Sequence, residues 1–184
     1  FDKLRADGRR ALIPYITAGD PDLATTAHIL DALVEGGADI IELGMPFSDP
    51  MADGPVIQRA MERAIAGGTS LEGTLELARN FRVRHPNTPL VLFGYLNPLY
   101  RPGLANAITQ SAESGIDGLL IVDLPSESAP EVLPYTRSEK IDLIGLFTPT
   151  TDPERVSSMV ESVSGFAYCV SLSGVTGGSV TRSM

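Results

Sequence analysis

The chain has 184 residues, too many for a disulfide-stapled miniprotein and enough to bury a core, so one domain is the default. Charged residues make up 20% and hydrophobic ones 43%, the balance of a folded domain rather than a disordered one. Asp and Glu number 23 against 14 Lys and Arg, a net charge of −9, which excludes the basic stripe of a nucleic-acid binder; no apolar run approaches the roughly 18 residues of a membrane span.

Short apolar runs alternate with longer helical patterns. Strands are expected at Ala11–Thr17, Asp39–Gly44, Pro89–Tyr95, Gly118–Asp123, Ile141–Phe147 and Phe166–Ser171. Runs such as Leu-Val-Leu-Phe and Leu-Leu-Ile-Val are continuous rather than alternating, as in strands covered on both faces. Helices are expected at Leu23–Glu35, Pro55–Ala66, Leu71–Arg84, Gly103–Ser114, Ser128–Tyr135 and Pro153–Val163. Pro55 at a helix start and Gly36-Gly37 at a helix end follow the usual asymmetry of helix termini. Strand–helix alternation predicts a parallel sheet built from βαβ units.

Strand starts are separated by 23 to 29 residues except for one gap of 50, between the second and third. That gap holds a Pro-, Gly- and Asp-rich loop and two helical patterns. A long insertion after the carboxyl end of a strand is where α/β folds place chemistry. The first strand runs into Thr17-Ala18-Gly19-Asp20-Pro21, which is no dinucleotide fingerprint, and no Walker-type phosphate loop occurs. Regular units without either motif favour a (β/α) barrel.

Glu42 lies inside the apolar run Asp-Ile-Ile-Glu-Leu-Gly, with Ile41 and Leu43 directed to the opposite face. On a barrel strand that turns Glu42 inward, where desolvation raises a carboxyl's pKa and fits it for proton transfer. A structural carboxylate paired with a cation or hydrogen-bonded to a neighbour is the equal alternative. Asp53 supplies a second carboxylate eleven residues on, although Asp-Gly before a helix is more often a turn or a cap. Asp49 has the same turn reading. Tyr168, in the sixth strand, reads either as a hydrogen-bond donor at the barrel mouth or as a core aromatic. The run Ser173–Gly178 can present backbone N–H groups to an anion or act as a lid.

The only lysines are Lys3 and Lys140, and Lys140 precedes the fifth strand, away from the expected site, which excludes a Schiff-base aldolase. His28, His85 and the lone Cys169 have no metal-site spacing, so no metal is expected. One cysteine excludes an internal disulfide and suits a reducing, cytoplasmic compartment.

Pro14–Pro21 (Pro-Tyr-Ile-Thr-Ala-Gly-Asp-Pro) and the seventeen residues Glu42–Gln58 closely resemble the tryptophan synthase alpha chain family. Phe93–Pro98, Ile121–Pro125 and Ser173–Gly177 match it in the same order, so the resemblance runs from Phe1 to about Gly177. It implies a TIM (β/α)8-type barrel and a lyase that cleaves indole-3-glycerol phosphate to indole and glyceraldehyde 3-phosphate in tryptophan biosynthesis. Glu42 falls on the family's catalytic glutamate, expected to protonate indole C3 and accept the glycerol hydroxyl proton. Asp53 falls on its catalytic aspartate, expected to hold the indole N–H. Tyr15, Phe93 and Leu120 match apolar positions around the indole; Tyr168 and Gly177 match positions by the glycerol phosphate, and Thr176 a lid residue. The resemblance implies no cofactor in this chain and, as partner, a pyridoxal-phosphate beta chain in an alpha2-beta2 heterotetramer, with Pro46 and Asp49 lying toward it.

At about 30 residues per βα unit, 184 residues make about six of eight units, so residues 1–184 are expected to form one barrel domain cut short at its C-terminus. The alternative is a catalytically incompetent barrel fragment that only binds a partner or self-associates.

Overall fold

A computed structural model describes residues 1–148 and 151–170. Six strands form one parallel sheet in consecutive order: β1 (Tyr15–Thr17), β2 (Ile41–Gly44), β3 (Leu90–Gly94), β4 (Gly118–Ile121), β5 (Asp142–Phe147) and β6 (Ala167–Cys169). Eight helices accompany them in the described residues: α1 (Asp2–Ala6), α2 (Leu23–Glu35), α3 (Pro55–Ala66), α4 (Leu71–Arg84), α5 (Leu96–Tyr100), α6 (Leu104–Glu113), α7 (Ala129–Glu139) and α8 (Pro153–Ser162). Strict neighbour-to-neighbour parallel pairing with helical crossovers is the construction of a (β/α) barrel wall, here an arc of six strands.

Register decides which side chains face inward. Tyr15, Glu42, Val91, Gly118 and Asp142 lie side by side across β1 to β5, and parallel neighbours in register point to one face. Two residues further on, Thr17, Gly44, Phe93, Leu120 and Ile144 form the next layer on that face. Between them Ile16, Leu43, Leu92, Leu119 and Leu143 point the other way. Two apolar clusters correspond to these faces. The larger joins Leu43, Leu92 and Leu119 to helix residues such as Leu30, Leu75, Phe81, Ile108 and Val132. The smaller collects Ile40, Val91, Leu120 and Ile144 with Phe93, Leu146 and Phe166 on the inner face.

Helix boundaries follow local chemistry. The Asp22 carboxylate accepts the Thr25 N–H at 2.6 Å and so caps α2; Ser70 caps α4 by accepting the Gly73 N–H at 3.3 Å. Pro55 opens α3, and Arg63 of that helix pairs in bidentate fashion with Asp20, both contacts at 2.8 Å. That pair ties the inserted helix to the loop after β1. α2, α3 and α4 match the sequence expectation to the residue.

Differences lie in short or Pro-containing pieces. β1 begins at Tyr15 rather than Ala11, although Leu12 and Pro14 still accept backbone N–H groups from Asp39 and Glu42. α7 runs on to Glu139, through Pro134, because Val132 and Thr136 are buried against the core and outweigh one lost hydrogen bond. It stops where Lys140 adopts a left-handed conformation (φ 59°). No helix of the described residues is long and apolar enough to cross a membrane.

Candidate active site

Glu42 is the second residue of β2 and points inward, only 5% exposed. Burial pushes its carboxyl up to about 7. Among the described residues it has no ion-pair partner and no hydrogen-bond donor. Tyr15 stands beside it in register on β1. The Tyr15 ring meets Phe93 edge-on, with centroids 5.2 Å apart, and Phe93 in turn meets Tyr168 edge-on at 6.2 Å. Leu120, fully buried, neighbours Phe93 in the same layer. The four expected substrate-lining residues in the described part therefore form one aromatic and aliphatic wall next to Glu42.

The phenols report the electrostatics. Burial raises the Tyr15 hydroxyl to about 12 against its 3.3 Å hydrogen bond with Thr17, and the nearby charges of Asp53 and Glu42 add to the rise. Tyr168 is also raised, by burial first and then by Glu42 and Asp53. Both carboxylates thus act on both phenols, which places all four groups about one space.

Asp53 comes from the loop between β2 and α3 and is 5% exposed. It does not cap α3: Gly54 is the N-cap and no side chain bonds there. Its Oδ2 instead accepts the Tyr95 hydroxyl at 2.7 Å, while that hydroxyl accepts the Ala52 N–H at 3.1 Å. The Gln58 side-chain amide donates to the Asp53 carbonyl at 2.8 Å and holds the backbone. Burial raises the Asp53 carboxyl and the Tyr95 hydrogen bond opposes that rise. Tyr95, immediately after β3, was not among the sequence candidates; an aromatic at the end of an apolar run is indistinguishable from a core residue until the fold brings the Asp53 loop over it.

Thr176 and Gly177, with the rest of the Ser173–Gly178 loop, lie outside the described residues. Lys140 ends α7 just before the N-terminal end of β5, remote from the carboxylates. Among the described residues no group of three His, Cys, Asp or Glu could hold a metal ion. A cavity of about 460 Å³ opens at the N-terminal ends of the strands, between Phe1, Arg9, Asp39, Asp117, Asp142 and Phe166. Within its lining Arg9 pairs with Asp39, and Asp117 pairs with Arg82 outside it. Glu42 and Asp53 are thus two buried carboxyls that meet no cation among the described residues and lie beside a flat apolar wall.

Comparison with known proteins identifies the family. The family described as tryptophan synthase alpha chain matches residues 1–183. The tryptophan synthase alpha chain of Dechloromonas aromatica is 51% identical over 96% of this chain and 66% of its own length; that of Acidiphilium cryptum is 49% identical over 96% and 64%. The crystal structure of the alpha subunit from Legionella pneumophila superposes with a TM-score of 0.90 at 45% identity, over 92% of this chain and 65% of that one. A chain from a structural study of the tryptophan synthase a2b2 complex of Pyrococcus furiosus gives 0.82 at 45% identity, over 86% of this chain and 64% of that one. The chain spans about two thirds of the length of the curated relatives it matches. By sequence and by fold alike, the chain belongs to the tryptophan synthase alpha chain family.

Proposed function

We propose that the protein cleaves indole-3-glycerol phosphate to indole and glyceraldehyde 3-phosphate, as the alpha part of a tryptophan synthase. The observation that carries this reading is the pair of buried carboxyls that meet no cation among the described residues, with Glu42 pushed up to about 7 beside the Tyr15–Phe93–Tyr168 wall. A carboxyl near 7 is protonated often enough to give a proton and ionised often enough to take one at neutral pH.

Cleavage needs both. Glu42 delivers a proton to indole C3, which places positive charge on the ring nitrogen. The carboxylate of Asp53 holds the N–H there, and its charge is worth most in a dry pocket. Loss of the glycerol hydroxyl proton then forms the aldehyde carbonyl. The carbon–carbon electron pair returns to the ring, and neutral indole leaves. One proton is gained at carbon and one lost at oxygen, so no redox partner enters. Tyr15, Phe93 and Leu120 present flat apolar contacts to the indole; Tyr168 and Gly177 are assigned to the glycerol phosphate side, and Thr176 to a lid.

The reaction needs no cofactor on this chain. Its partner is read as a beta chain carrying pyridoxal phosphate, which consumes the indole within an alpha2-beta2 assembly, and its location as the cytoplasm. Product analysis tests the reaction: incubation with indole-3-glycerol phosphate is expected to yield indole and glyceraldehyde 3-phosphate in equal amounts. Intact substrate after many equivalents of enzyme-hours, with the beta chain supplied, would remove this reading.

A further inference from the structure

Asp53 sits on a loop, where a carboxylate has freedom to rotate, yet its work requires one oxygen aimed at a ring N–H. The restraint comes from Tyr95. This residue is 1% exposed and is held on both sides, by the end of β3 and as the N-cap of α5. The Leu96 N–H, next in sequence, is bound by Asp123 at 2.8 Å, which fixes the same corner. The Tyr95 ring lies against Phe47 at a centroid distance of 5.1 Å and an angle of 32°, so the phenol cannot swing away. Its hydroxyl is saturated by two loop groups: it donates to Asp53 Oδ2 at 2.7 Å and accepts from Ala52 N–H at 3.1 Å. Oδ1 of Asp53 receives no donor from the described residues.

We propose that Tyr95 is the positioning residue of Asp53: it ties Oδ2 to the end of β3 and leaves Oδ1 to accept the substrate N–H. The proposal rests on the indole-releasing reaction above. A carboxylate held through one oxygen keeps a single orientation, and misplacement by about 1 Å can cost a reaction about 10²-fold. The same donation stabilises ionised Asp53 against its burial. The other titratable groups acting around this pair are Tyr15, Tyr168 and Glu42, with Asp123 acting on Tyr95, and none of these is altered by removing the Tyr95 hydroxyl.

Tyr95→Phe removes the O–H and keeps the ring against Phe47. Steady-state kinetics of the folded variant are expected to show kcat lowered about 10- to 100-fold with KM nearly unchanged, and the acid limb of the kcat profile moved to higher pH. Wild-type kcat with an unmoved acid limb would overturn the proposal. The carboxyl ¹³C shift of Asp53 gives a readout independent of turnover. Its titration midpoint is expected to rise in Tyr95→Phe, and an unchanged midpoint counts against the role even if the reaction itself proves different. Should Tyr95→Phe not fold, 3-fluorotyrosine at position 95 keeps the hydroxyl and makes it a stronger donor. The midpoint must then fall, and a constant midpoint overturns the proposal equally.

Discussion

The Tyr15 phenol fills the space above Gly44 that a side chain would need: a Cβ there would sit 2.1 Å from the hydroxyl oxygen and 2.5 Å from Cζ. Tyr15 is also the register neighbour of Glu42, so this glycine lets an aromatic ring close over the layer that holds the Glu42 carboxyl. Gly44→Ala must displace a ring already packed on Phe93. We expect a loss of about 1–3 kcal/mol in stability by urea titration, with a drop in indole release, because the displaced ring opens Glu42 to water. Unchanged stability and turnover would show that the ring moves aside freely.

Glu42 gives the fold an unusual pH dependence. Its carboxyl is pushed from 4.5 up to about 7, so below pH 4.5 it is protonated in both folded and unfolded chains. Between 4.5 and about 7 the unfolded chain releases this proton while the folded chain keeps it, and stability contributed by this group falls as pH rises. Above 7 the buried charge carries its full cost, on the order of 2 kcal/mol. Glu42→Gln is neutral throughout. The variant is therefore expected to be more stable than the wild type at pH 8 and equal to it at pH 4, compared by urea midpoints. A constant difference across that range would mean that Glu42 titrates normally.

Glu42 was legible because a charge inside Asp-Ile-Ile-Glu-Leu-Gly has to face somewhere, and strand alternation sets it opposite Ile41 and Leu43. The long amphipathic helices α2, α3 and α4 were legible for a similar reason: their caps and their periodic apolar positions agree. α1 and α5 were not, since five residues carry no period, and α5 contains Pro98. Asp53 read locally as a turn or cap. Its actual partner, Tyr95, is 42 residues away, and no local pattern reports a contact of that span. The helix expected to end at Tyr135 runs four residues further, and the burial of Thr136 beyond that point shows why it continues.

Phe93 contacts both Tyr15 and Tyr168 edge-on and is the centre of the aromatic wall. Phe93→Ala should raise the KM for indole-3-glycerol phosphate about tenfold or more and cost about 2–4 kcal/mol of stability. Phe93→Leu should recover most of the stability but less of the KM, since it restores volume without the aromatic edges. Equal kinetics for the two variants would mean that volume alone matters.

Arg82 provides the contrasting case at the other end of the sheet. Its guanidinium donates to the carbonyls of Gly115, His85, Pro86 and Thr88 and pairs with Asp117, whose carboxylate also accepts the Leu90 N–H at 2.8 Å. It thereby ties the starts of β3 and β4 together. Arg82→Ala is expected to lower stability by about 2–4 kcal/mol while leaving KM unchanged under conditions where the variant is folded. A changed KM in the folded variant would show that the strand starts communicate with the carboxylate end.

Indole release at pH 7 by the wild-type chain and by Glu42→Gln bears most directly on the central claim, that a buried Glu42 moves the proton. The wild type should release indole, and the variant should do so at least about 10²-fold more slowly with unchanged secondary structure by circular dichroism. Release at the wild-type rate by folded Glu42→Gln would contradict it.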